Sequence, residues 1–64
     1  MNHLITWEEP FCGAGNNCFR IGTDGAGSAY IAVSGAEEHY VTDSREALRA
    51  LIRDIKAGKA DHLL

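Results

Sequence analysis

Hydrophobic and polar positions change their period once along this chain, near residue 43. Before that point apolar residues come in short β-like runs separated by glycine-rich stretches. After it they recur at helical spacing. A first β-like piece covers residues 3–8 and ends at Pro10. Gly13-Ala14-Gly15-Asn16-Asn17 is dense in residues that tolerate positive φ and reads as a loop. In residues 18–23, Phe19 and Ile21 share one face and Arg20 takes the other, the pattern of a half-buried strand. Asp24-Gly25 lies between two strand-like runs, which is a hairpin signal. Tyr30-Ile31-Ala32-Val33 is apolar on both faces and reads as the central strand; Ser34-Gly35-Ala36-Glu37 turns again, and His39-Tyr40-Val41-Thr42 makes the last strand.

From Asp43 onward, Leu48, Leu51, Ile52 and Ile55 sit at i, i+3, i+4 and i+7 and form one apolar helix face. Asp43 with Glu46 has a capping-box-like spacing, and Ser44 is the competing N-cap. Gly58 supplies the C-terminal stop, with Lys56 in the last turn where the helix dipole favours a cation. The pattern predicts an α+β fold: a three- or four-stranded antiparallel β-meander followed by one C-terminal amphipathic helix packed on one face. Phe19, Ile21, Ile31, Val33 and Val41 are expected to meet Leu48, Leu51, Ile52 and Ile55 in a single core. One helix leaves the other sheet face open, and Tyr30 and Tyr40, if they lie there, are candidate partner-binding residues. Arg45, Arg49 and Arg53 fall four apart on the helix, away from the apolar stripe. They read either as a solvated face or as a docking surface for an acidic partner. Residues 1–58 form the expected single domain, and residues 59–64 a frayed tail.

Size sharpens this picture. A folded chain of 6.9 kDa exposes about 4,000 Å² and buries only about 60% of its unfolded surface. That argues against a deep enclosed cavity and against most self-contained enzyme sites. A core this small without staples is marginal, so self-association or a stabilising partner is expected. Charge is polar along the chain: residues 1–44 hold six acids against Arg20 alone, whereas residues 45–64 hold five bases and three acids. An acidic whole argues against direct nucleic-acid binding, which needs a concentrated basic face. Residues 1–7 lack a basic start and an apolar run, so a cytoplasmic, soluble chain without a membrane partner is expected. In that compartment Cys12 and Cys18 are expected as reduced thiols.

Catalytic chemistry finds little support. Cys12, Cys18, His3, His39 and His62 include no close ligand pair of the kind zinc sites use, so no metal is expected. Cys12, Cys18 or Ser34 with His39 lacks a local signature for an activated nucleophile. Glu37 and Glu38 are adjacent, which is poor geometry for a carboxylate pair. The Gly13-Ala14-Gly15 and Gly25-Ala26-Gly27 loops do not run directly into a helix, as a phosphate cradle does, and read as turns. Trp7 is expected to cap the core, and the acidic surroundings of Phe11, Tyr30 and Tyr40 disfavour a base-stacking platform. Neither enzyme activity nor a cofactor is expected.

Trp7, the loop Phe11-Cys12-Gly13-Ala14-Gly15-Asn16, the run Asn17-Cys18-Phe19-Arg20-Ile21, the run Ile31-Ala32-Val33 and the closing helix into Lys56-Ala57-Gly58 together resemble a family of small actinobacterial proteins. This is the domain of unknown function numbered three hundred and ninety-seven, related to the developmental regulator BldB. The similarity covers roughly residues 7–58. Ser34-Gly35-Ala36 departs from the Arg-Asp-Ser with which the family continues its second strand, and Leu48 and Leu51 stand where it tends to place aromatics. Family members are commonly encoded beside helix-turn-helix regulators. The resemblance therefore implies a non-catalytic protein-interaction module, a regulatory accessory partner of such a regulator, and brings no catalytic residues. Two alternatives stand beside it: a toxin-like component of a toxin–antitoxin pair, and a small thiol or metal-binding protein using Cys12 and Cys18.

Overall fold

The computed structural model describes residues 4–12 and 18–64. Among these residues four strands, β1 (Thr6–Trp7), β2 (Phe19–Thr23), β3 (Ser28–Val33) and β4 (Val41–Ser44), precede one α-helix, α1 (Arg45–Lys56). The strands form one antiparallel sheet in chain order, β1-β2-β3-β4. This is the expected α+β meander with its C-terminal helix. The anticipated loop at 13–17 and His3 lie outside the described residues.

Register sorts the side chains into two faces. Gly22 pairs with Trp7 on one side and Tyr30 on the other, while Arg20 pairs with Ala32. These residues therefore share a face, here the aromatic face. Phe19 opposite Val33, Ile21 opposite Ile31, and Ile31 opposite Val41 make the other, aliphatic face, which α1 approaches. The aromatic face is the better packed. Trp7 tilts against Tyr30 with ring centroids 6.4 Å apart, and Tyr40 meets Tyr30 edge-on at 4.9 Å. Gly22 makes this possible, because a Cβ there would come within 2.7 Å of Ile5 and 2.9 Å of the Trp7 ring.

Turn chemistry fixes the register. Asp24 is buried at the β2–β3 turn; its Oδ1 accepts from the backbone N–H groups of Ala26 and Ser28, at 2.9 and 3.0 Å. Its Oδ2 accepts the Tyr30 hydroxyl at 2.6 Å. On the β3–β4 turn, Glu37 accepts from Gly35 N–H and pairs with Arg20 at 3.0 Å. Arg20 also donates to the Glu8 carbonyl, so one guanidinium ties β1, β2 and this turn together.

Ser44, not Asp43, caps α1, because its hydroxyl accepts from Ala47 N–H while Asp43 accepts from Ser44 N–H. At the other end Gly58 takes φ +89°, which lets Gly58 N–H reach the Ile55 carbonyl and Lys59 N–H reach the Asp54 carbonyl. Those are the paired bonds of a Schellman stop. Beyond it, within the 59–64 tail, Asp61–Leu63 makes one 3-10 turn.

The expected single core does not form. Among the described residues, the buried apolar ones are Cys18, Ala29, Tyr30 and Ala32, and no residue of α1 is buried. Phe19 is 64% exposed and Ile55 51%, with Val41, Leu51 and Ile52 also open. The reason is geometric. A twelve-residue helix, about 18 Å long, leaving the sheet directly from β4 covers only the end nearest its start. The apolar stripe is real, but it packs along the sheet's β3–β4 edge and leaves most of the aliphatic face open.

Candidate interaction surface

The aliphatic face is an uncovered apolar surface with two parts. A groove of about 320 Å³ lies between sheet and helix, lined by Ala29, Ile31, Val41 and Asp43 from the strands and Ala47, Leu48 and Leu51 from α1. Beside it stands a ridge, where Leu51, Ile52 and Ile55 recur along the helix and stay exposed. At the far end of the sheet, Phe11 and Phe19 are bridged across the β1–β2 pair and are both exposed. Apolar side chains are thus exposed along the helix, the groove and the far end of the sheet.

The five residues singled out from the sequence fall differently. Tyr30 is only 5% exposed and its hydroxyl is used by Asp24, so it supports the aromatic face from within. The Asp24 carboxylate, reinforced by burial, holds the Tyr30 phenol above its usual pKa, since ionisation would put two negative charges together. Tyr40 is 43% exposed and covers Tyr30. Arg45 donates from Nη2 to the Asp24 carbonyl at 2.8 Å, and its backbone N–H reaches the Gly27 carbonyl. It pins the start of α1 to the β2–β3 turn. Arg49 pairs with Glu46 at 2.9 Å on the exposed helix surface, and Arg53 lies exposed in the last turn. The three arginines therefore share a helix side but not a role.

Sequence reasoning assigned Phe19, Val41, Leu51, Ile52 and Ile55 to the core, and thereby missed the surface they make. The available signal was coverage: one short helix against a four-stranded sheet with apolar residues on both faces of β3.

The expectation of reduced cysteines is also corrected, because Cys12 and Cys18 form a disulfide with Cα atoms 4.8 Å apart. The bridge between Phe11 and Phe19 brings the next residue of one strand and the preceding residue of the other face to face, well within bonding range. Neither thiol is free in this state, so the pair is unavailable as thiolate ligands. Glu37 is perturbed as well. Its own N–H and that of Gly35, then Arg20, hold its carboxyl below the usual carboxylate value. His39 lies exposed beside Glu38 at 3.6 Å, in the connection before β4 and not on a strand.

Among the described residues, no three His, Cys, Asp or Glu side chains gather to hold a metal ion, and no helix is long and apolar enough to cross a membrane. No protein-family model, curated protein or solved structure matches the chain.

Proposed function

We propose that this chain is a non-catalytic protein-interaction module whose working surface is the aliphatic face. The observation that carries this reading is the exposure of Phe19, Val41, Leu51, Ile52 and Ile55 on one side of the molecule. Apolar area left in water is unfavourable by roughly 25 cal/mol per Å², so covering it is the main free energy the chain has to offer. The partner class follows from the family resemblance: a helix-turn-helix transcription regulator, with this chain as its accessory. Arg49 and Arg53 supply exposed cations outside the apolar stripe, suited to an acidic patch on such a partner.

The deciding measurement is calorimetric titration of the chain, with the disulfide closed and with it reduced, into a helix-turn-helix regulator from its own genome. Saturable binding that weakens with salt and is lost in Ile52→Asp supports the reading. Absence of binding in both calorimetry and co-elution overturns the regulator assignment. A cytoplasmic site of action belongs to the same proposal, and the disulfide gives it a readout, because reducing compartments keep such bonds open. Thiol trapping in intact cells is expected to recover Cys12 and Cys18 as a reduced pair if the chain acts there. Recovery of the oxidised form would place it elsewhere.

A further inference from the structure

We propose that a second copy of this chain covers the aliphatic face, forming a two-fold pair; this rests on the interaction-module reading and names the first occupant of its surface. Area is the first argument. The chain exposes 5115 Å², whereas a folded monomer of its mass is expected to expose about 4,000 Å². The open aliphatic residues Phe19, Val41, Leu51, Ile52 and Ile55 contribute to this excess of about 1,100 Å², and each partner of a stable interface contributes about 800 Å².

Shape is the second argument, and it selects a copy over an unrelated partner. Ridge and groove lie side by side on one face, with Leu51 on the rim they share: Ile52 and Ile55 stand to one side of it, and the hollow lined by Ala29, Ile31, Val41 and Leu48 to the other. A two-fold axis between them seats each ridge in the other copy's groove, so the same patch satisfies itself. Charge is the third. The sheet places Asp43 on the groove wall, and the last turn of α1 carries Lys56, next in sequence to Ile55. Laying the helix of one copy over the sheet of the other brings opposite signs together. Arg53 stays outside this contact and remains available to a regulator.

The test is the solution mass of the full oxidised chain by analytical ultracentrifugation and light scattering, from about 1 µM to about 500 µM, with the unfolding midpoint followed across the same range. The expected result is a species of twice 6.9 kDa at the upper end and a midpoint that rises with concentration. Ile52→Asp and Val41→Asp are each expected to weaken association at least about tenfold, since either buries an unpaired carboxylate in the contact. Should either variant fail to fold, the concentration dependence of the unaltered chain decides alone. A mass of 6.9 kDa throughout, with a fixed midpoint, overturns the pairing, as does an assembly that both variants leave intact. A monomer that still binds the regulator, and loses it in Ile52→Asp, overturns the pairing while sparing the proposed function. A dimer indifferent to the regulator supports the pairing and removes the regulator assignment.

Discussion

Asp24 is the residue on which most local order converges. Its carboxylate takes two backbone N–H groups and the Tyr30 hydroxyl, and its carbonyl receives Arg45. Asp24→Ala leaves buried donors unsatisfied, and a loss of about 2 kcal/mol is expected in denaturant unfolding. Tyr30 and Glu37 shape the pH profile in opposite directions. Tyr30 is raised above its ordinary value of 10.0, so its contribution is complete below pH 10 and lost as pH climbs through the folded value. Glu37 is lowered from 4.5, so its contribution is present above pH 4.5 and lost as pH falls through the folded value. Stability is thus expected to decline at both ends, and Tyr30→Phe to remove part of the alkaline decline. An alkaline arm identical in Tyr30→Phe would detach that decline from the Asp24–Tyr30 pair.

At the scale of elements, legibility followed the reach of each signal. The helix was readable because period, cap and glycine stop are all local, and the structure returns Arg45–Lys56 with Gly58 at its end. Strands β2 and β3 were readable for the same reason, through Asp24-Gly25 and the alternation around Arg20. Strand β4 sits two residues later than expected, at Val41–Ser44, because Thr42 and Asp43 complete the pairing with Tyr30 and Ala29 before the helix begins. The Cys12–Cys18 bond was not readable, since it depends on a compartment and on the non-local Phe11–Phe19 bridge. Cross-linking a loop this short restricts the unfolded chain, so reduction is expected to lower stability by about 2 kcal/mol. Chemical unfolding with and without a phosphine reductant measures it, and an unchanged midpoint would show the bond to be energetically idle.

For the whole molecule, the lesson is that an amphipathic stripe predicts burial without saying against what. Leu51, Ile52 and Ile55 carry the pattern of core residues, yet within one chain they stay in water. Truncating a buried isoleucine to alanine removes about 2–5 kcal/mol. In dilute solution Ile55→Ala is expected to cost well under about 1 kcal/mol, because its side chain is half open already. The same substitution becomes progressively more costly as protein concentration rises. Equal cost at both extremes would mean that Ile55 meets no second surface.

The bare backbone at Gly22 has an optical consequence. It seats the chain's single indole, Trp7, on the side of the sheet turned away from α1. Emission from that ring therefore monitors the aromatic cluster, while far-ultraviolet ellipticity reports the helix. The two halves can be followed through one melt with two colours of light, without a label.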